Sequence, residues 1–299
     1  MLADTADGSV ELRDGVVVDP AVVSLLAPGT IVIASDGVGS VRRVVDAAGG
    51  ITTEPASLFD AFATATYRYT LVLDEHAVDP AIGVPDIDVR AGLDLAPTID
   101  LAFTIDGGGL AKLDAITSGT FDARIDTATK LPSGGWNGVK TIESRPLRFA
   151  TIVDGVPVVL VARVITDLAV YAGGPATLET DVTAHAAFNS GIHFTRAGGW
   201  TSSDASRPRF EVHEVRAEGS GYANAVATMR IELAIYGEVV PYMQLRAISS
   251  VEAGNCKLLE ATVGAGVGVE RSTLLPGAEL RYVSVFDNQV PIVNDATCQ

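Results

Sequence analysis

Residues 87–106, "IDVRAGLDLAPTIDLAFTID", carry an apolar residue or Pro97 at every odd position. The even positions read Asp, Arg, Gly, Asp, Ala, Thr, Asp, Ala, Thr, Asp. A period of two marks an extended strand with one face in the core and one in water. At about 3.3 Å per residue such a ribbon runs roughly 65 Å, far beyond an ordinary strand of about five or six residues. Pro97 has no N–H to give a ladder, so the ribbon is expected to divide into strands near 86–95 and 98–106, or to bulge at an edge. "DGGG" (106–109) reads as a turn, and "TFDARID" (120–126) returns with the same parity. Phe121, Ala123 and Ile125 fall on one side and Asp122, Arg124 and Asp126 on the other. Together these segments predict a meander with one wet face and one buried face.

Similar alternation recurs at 177–188, 208–217, 225–236, 242–248, 261–270 and 279–286, with turn residues between and no ten-residue helical period. Between 156 and 165 apolar residues occupy both parities, which predicts a strand covered on both sides. Residues 9–54 read as a small β unit broken by glycines. "EPASLFDAFATA" (54–65) predicts one short helix, with Pro55 near its start and Leu58, Phe59 and Phe62 at i, i+1 and i+4. "DEHAVDPAIGVPD" (74–86) reads as a linker, and "LPSGGWNGVKTIESRP" (131–146) as a loop with a hairpin signal. The expected class is all-β: an antiparallel sandwich or open barrel-like core, with a small N-terminal β unit and one short helix. The division drawn is 1–66 for the N-terminal unit and 67–299 for the large β domain.

Composition narrows the functions. Hydrophobic residues make up 47% and charged residues 19%, the reverse of the balance that keeps a chain disordered. The net charge of −16 is spread over the chain, and only Lys112, Lys130, Lys140 and Lys257 are lysines. Such a surface repels phosphate backbones, which argues against nucleic acid. The most apolar run, "GVPVVLVARVI" (155–165), is too short for a membrane-spanning helix and is interrupted by Arg163. The N-terminus "MLADTADGSVELRDG" has neither a basic nor an apolar leader region. Cys256 and Cys298 are the two cysteines, the second being the penultimate residue. They fit a disulfide closing a loop of about forty residues, worth roughly 3–4 kcal/mol and pointing to an oxidising compartment. Two unrelated thiols are the alternative.

Two stretches carry a resemblance. "ATIVDGVPVVLVARV", "AFNSGIHFTRAGGW" and "ELAIYGEVVPYMQLRA" resemble the C-terminal half of secreted or surface β-rich microbial proteins of unassigned function. "LAPGTIVIASDGVGSVRRVVD" with "TTEPASLFDAF" is similar to the portion that precedes it in bacterial members. The likeness lies in hydrophobic and glycine spacing over about two-thirds of the chain, with no catalytic signature. It implies an exported or surface location and supplies no active-site residues.

Candidate chemistry is sparse. Asp88, Asp94, Asp100 and Asp106 recur every six residues, about 20 Å apart along one strand. Only cross-strand partners such as Asp122 or Asp126 could complete a calcium site, and Arg90 and Arg124 stand ready to neutralise the row instead. His76, His185, His193 and His213 share no metal-binding spacing. "GSGY" and "GVGS" fit no nucleophile elbow. "VGAGVGV" (263–269) lacks the third glycine of a dinucleotide fingerprint and leaves one strand face bare. Aromatics at 6% support no sugar cleft; Trp136 and Trp200, both in glycine-rich loops, are candidate contact residues on loop tips or half-buried loop anchors. No catalytic, cofactor or metal residue is assigned. The expected function is a non-enzymatic extracellular β-sheet protein acting by contact, as a surface, matrix, adhesive or filament subunit. It would form homo-oligomers or bind a surface partner, and "SVELRDGVVVD" could be donated as a strand to a neighbour's edge. The alternative is a carrier whose strands, with Ile87 to Ile105 on the inside, wrap an apolar or lipid ligand.

Overall fold

The computed structural model describes residues 2–3, 10–11, 17–18, 25–34, 39–46, 51–153, 156–236, 238–254, 258–269 and 281–293. In chain order the first strands are β1 (Leu2–Ala3), β2 (Val10–Glu11), β3 (Val17–Val18), β4 (Ile31–Ala34), β5 (Ser40–Asp46) and β6 (Thr52–Pro55). Helix α1 (Leu58–Ala61) follows, then β7 (Thr64–Val72), β8 (His76–Val78), β9 (Ala81–Val84), β10 (Ile87–Asp106) and β11 (Leu110–Leu131). Next come β12 (Gly135–Glu143), β13 (Leu147–Val153), β14 (Val156–Gly173), β15 (Ala176–Thr195) and β16 (Gly199–Asp204). The last are β17 (Arg207–Gly219), β18 (Gly221–Ile235), β19 (Glu238–Ala253), β20 (Leu258–Val269) and β21 (Arg281–Val293).

Two antiparallel sheets dominate. In the first, β10, β11 and β15 form the centre; β7, β8 and β9 lie end to end along β10, and β16 and β17 along β15. In the second the order is β12-β14-β18-β19-β20-β21, with β13 beside β12 along β14. The alternation seen in the sequence is the reason they meet. Every odd residue of β10 from Ile87 to Ile105 is buried, as are Leu168 and Val170 of β14 and Met229 and Ile231 of β18. These side chains belong to one continuous apolar cluster between the sheets. Each fully buried large aliphatic contributes roughly 1.5–3 kcal/mol, so the layered arrangement follows from the pattern. The fold is the all-β sandwich expected from the sequence.

The chain passes from one sheet to the other three times among the described residues, always at the same end. β11 leads to β12, β14 to β15, and β17 to β18. The neighbours β11–β15–β17 in the first sheet become β12–β14–β18 in the second, so a three-stranded ribbon is folded over on itself. Gly174 N donates to Gly134 O at 2.8 Å and Ser220 N to Pro175 O at 2.9 Å across the bend. Gly174 sits at φ +84°, where a β-carbon would lie 2.4 Å from the Ser220 carbonyl oxygen. Only glycine meets both demands. Near this end the two layers are joined by a buried pair, Thr180 Oγ1 and Ser249 Oγ, 3.3 Å apart.

The N-terminal strands build a separate sheet, β1-β4-β5-β6, with β1 parallel to β4. Ile33 and Val41 join the sandwich's apolar cluster. A β-carbon at Gly39 would meet Val159 at 2.9 Å, so this sheet lies against the outside of β14. That contact explains the double-parity burial expected there: Val158, Val159, Leu160, Val161 and Ala162 are all buried.

Several local expectations are corrected. Pro97 does not divide the ribbon; β10 runs unbroken for 20 residues. Leu73 N donates to Pro97 O, so the side of Pro97 that lacks an N–H faces the edge, at the gap where β7 ends opposite Thr98 and β8 begins opposite Leu95. The interruption is thus borne by the neighbour. On the other side Gly119 pairs with Pro97, and a β-carbon there would stand 2.2 Å from the Ala96 carbonyl oxygen. Residues 74–86 are not a linker but hold β8 and β9, and 131–146 hold β12. The helix is only Leu58–Ala61, started by Ser57, whose side chain accepts from Asp60 N while Asp60 accepts from Ser57 N. Pro55 ends β6 instead.

Gly119→Ala is expected to cost about 2 kcal/mol or more, because β10 and β11 must part to admit the methyl. Gly83→Ala, where a β-carbon meets nothing within 4 Å, should stay within about 0.5 kcal/mol. Urea unfolding of the two variants checks the contrast.

Candidate functional site

Antiparallel register brings the polar side chains of β10, β11, β15 and β17 into rows on the outside of the first sheet. Asp94 stands opposite Asp122, and Asp126 opposite Asp181, which in turn faces Glu214. Like charges directly opposite repel, and the sheet offsets this with cations. Arg124 grips Asp181 with two bonds, Nε to Oδ1 at 3.1 Å and a terminal nitrogen to Oδ2 at 2.7 Å. Its Nε also lies 3.4 Å from Asp126. Arg90 pairs with Asp88 at 3.2 Å. Between these rows lies an open hollow of about 390 Å³, lined by Asp88, Arg90, Arg124, Asp126, Asp181 and Glu214 among others.

The carboxylates here do not titrate alike. Burial, then the hydrogen bond and charge of Asp181, push the Asp126 carboxyl above its ordinary value in spite of Arg124. A shared hydrogen bond with Asp94 likewise raises Glu75. Burial would raise Asp114 too, but hydrogen bonds from Lys112 and His193 outweigh it and hold that carboxyl low.

Asp88, Asp94, Asp100 and Asp106 stay apart along β10 and have separate surroundings. Asp88 holds Arg90, Asp94 bonds Glu75, Asp100 accepts from Thr70 Oγ1 at 2.5 Å, and Asp106 sits at the turn, where its carbonyl accepts from Arg196. Among the described residues no three His, Cys, Asp or Glu side chains converge on a point that could hold a metal ion.

The histidines fall into the same rows. His185 Nδ1 lies 2.5 Å from Asp122 Oδ1, and His213 Nε2 lies 2.9 Å from Thr183 Oγ1. His193 joins three strands: Nδ1 is 2.9 Å from Asp114 Oδ1 on β11, and Nε2 is 3.0 Å from Ser203 Oγ on β16. Asp114 and Ser203 were not singled out from the sequence. They lie 79 and 10 residues from His193, and only the strand register unites them.

Trp136 and Trp200 sit on β12 and β16 rather than on loops, half-buried and packed against the core. Trp200 tilts against Phe194, with ring centroids 5.0 Å apart. The bare face of "VGAGVGV" is partly covered: a β-carbon at Gly268 would stand 2.4 Å from the ring of Tyr242, which also receives Arg230 at 4.0 Å. Cys256 and Cys298 lie outside the described residues.

The outside of the second sheet carries both charged and apolar side chains: Glu232 pairs with Arg163 at 2.6 Å and with Arg230 at 2.9 Å, and Asp167 accepts from Thr141 Oγ1. Register aligns Val139, Ala169, Val226 and Ile248 in an apolar row across β12, β14, β18 and β19. Val139 is 65% exposed, and Tyr171 and Tyr222 beside the row are 45% and 51% exposed. Ile152 of β13, on the same edge of the sheet, is 71% exposed.

The class these elements define is a two-layer antiparallel sandwich, its first sheet lined outside by rows of charges and its second by an apolar row beside the ion pairs of Glu232 with Arg163 and Arg230. Set against protein-family models, curated proteins and solved structures, the chain shows no match to any of them. The earlier resemblance therefore assigns no family.

The two carboxyls should respond to pH with opposite sign. Asp126, raised in the fold, favours folding in acid, and that contribution is lost as pH climbs through its raised value. Asp126→Asn is therefore expected to gain stability at neutral pH and to match the parent in acid. Asp114, lowered in the fold, contributes above its unfolded value and loses this as pH falls. Asp114→Asn should lose stability at neutral pH, with the gap closing in acid. Unfolding midpoints across the carboxylate range check both signs.

Proposed function

We propose that this chain is an extracellular or cell-surface β-sheet protein that acts by contact, as a subunit of a surface, matrix, adhesive or filament assembly. The observation that supports this reading most is the distribution of exposed apolar side chains. Half of the large ones among the described residues, Val139, Leu147, Ile152, Tyr171 and Tyr222, lie on β12, β13, β14 and β18 of the second sheet. By register Val139, Ile152, Tyr171 and Tyr222 have the outward parity, whereas Leu147, opposite Ala162, has the inward one; exposed apolar groups that share a face mark a candidate interaction surface. β12 and β13 also form an edge of that sheet, so strand addition there would extend it. The segment considered as a donor is engaged within its own chain: Val10–Glu11 pairs with Val17–Val18.

A carrier role finds less support. One void between the layers among the described residues, lined by Ile99, Thr117, Ile192, Ile231, Met243 and Val267 among others, measures about 20 Å³. That is room for one water, whereas small-molecule pockets hold roughly 300–1,000 Å³.

The double variant Val139→Lys with Ile152→Lys tests the contact reading, since both residues are exposed and should change stability by less than about 0.5 kcal/mol each. Sedimentation equilibrium and binding to phenyl-coated beads should show parent self-association or adsorption weakened about tenfold or more in the variant. A parent that stays monomeric and unbound, or a variant that behaves like it, contradicts the reading.

A further inference from the structure

We propose that Ser203, His193 and Asp114 form a nucleophilic acyl-transfer site on the outer face of the first sheet, with small esters as substrates. The site goes beyond the contact role and stands independently of it. Three hydrogen-bonded groups in the order carboxylate, imidazole, hydroxyl are the relay by which a serine is activated, and such relays are recognised by geometry rather than by sequence position. Both links have working lengths, 2.9 Å from His193 Nδ1 to Asp114 Oδ1 and 3.0 Å from His193 Nε2 to Ser203 Oγ. Among the described residues His193 alone joins both kinds of partner; His185 has the carboxylate of Asp122 and His213 the hydroxyl of Thr183.

The electrostatics orient the relay. Lys112 Nζ lies 2.6 Å from Asp114 Oδ2, and together with His193 it keeps that carboxyl ionised. An ionised carboxylate only accepts hydrogen bonds. The proton must then sit on His193 Nδ1, which leaves the Nε2 lone pair facing the Ser203 hydroxyl. That is the tautomer a general base requires.

The backbone keeps these groups in place. Asp114 pairs with His193, and His193 with Thr201, in adjacent ladders. Ser203 lies two residues further along, opposite Gly191. Three ladder-held strands give the precision that loop-borne sites lack. Access is open, since Ser203 is exposed. A β-carbon at Gly191 would come within 3.0 Å of Ile116 Cγ1, so the isoleucine leans over the bare residue and offers an apolar rest beside the hydroxyl.

In the reaction Ser203 Oγ bonds to the ester carbonyl carbon as its proton passes to His193 Nε2. The carbon–oxygen bond to the leaving group then breaks, and the departing alkoxide takes that proton and leaves as the alcohol. Water, deprotonated by the same nitrogen, attacks the acyl-serine, and the proton returns to Ser203 Oγ as the carboxylic acid departs. The net change is ester plus water to acid plus alcohol.

A fluorophosphonate reagent on the purified full chain tests the proposal: Oγ–P bonding expels fluoride while the proton goes to His193. One equivalent should attach to Ser203, on the order of 10²-fold faster than to the chain unfolded in urea. Ser203→Ala should abolish the labelled peptide with the unfolding midpoint unchanged, as befits an exposed residue. His193→Gln should slow labelling about 100-fold. Asp114→Asn should slow it about tenfold or more in the parent, and not at all once His193 is replaced, a coupling that a merely structural aspartate would not show. Labelling no faster than in the unfolded chain, labelling at another serine, or rates indifferent to His193→Gln would overturn the proposal.

Discussion

Every strand of the two large sheets must present its apolar parity to the same gap. Because side chains alternate with a period of two, a slip of one residue would turn a whole strand inside out. β10 keeps its phase over 20 residues, and β11 keeps one from Leu113 to Thr129 after an irregularity beside Leu110, so their pairing has little freedom. The fold-over extends this constraint to the second sheet. The ribbon that leaves the first sheet keeps its neighbours as it enters the other, and the phase chosen on one side carries through Gly174 and its companions to the next. The outer faces are then consequences of the inner one. Once Leu93 and Leu95 point inward, Asp94 must stand outside against Asp122.

How much of this was legible in the sequence depends on what each segment buries. The long central strands declared themselves, because one face is dry and the other wet. The double burial of Val158 to Ala162 was visible for the same reason, although its cause, the N-terminal sheet on the outside, was not. The edge strands β8, β9 and β12 were not legible, although β17 and β21, also at edges, were. β12 is exposed or half-exposed at every residue, so no alternation records it, and β8 and β9 are short and flanked by Pro80 and Pro85. Pro97 misled because the rule about missing donors does not say which side of the strand is short of one. The Ser57–Asp60 cap was present in the sequence as a serine three residues before an acid, and it places the helix more closely than Pro55 did.

Side-chain constellations were the least legible. The row of aspartates on β10 stood out by its spacing, yet its members have separate partners. Asp114, His193 and Ser203 have no common spacing and meet only because β11, β15 and β16 pair as they do. No scan of local motifs could have joined them, whereas the register does so in two steps. The same register sets the apolar row from Val139 to Ile248 on the opposite face. One molecule therefore carries rows of carboxylates, hydroxyls and imidazoles on one side, and on the other a tyrosine-flanked apolar row beside the ion pairs of Glu232.

One uninterrupted phase runs the length of β10 and fixes the rest. Single cysteines placed at each position from 93 to 101, in a chain whose own two cysteines are serines, and exposed to a water-soluble thiol reagent, test it directly. Reactivity is expected at even positions and protection at odd ones, with no change of phase on passing Pro97. A reversal of the pattern after Pro97, or uniform labelling through the segment, would contradict it.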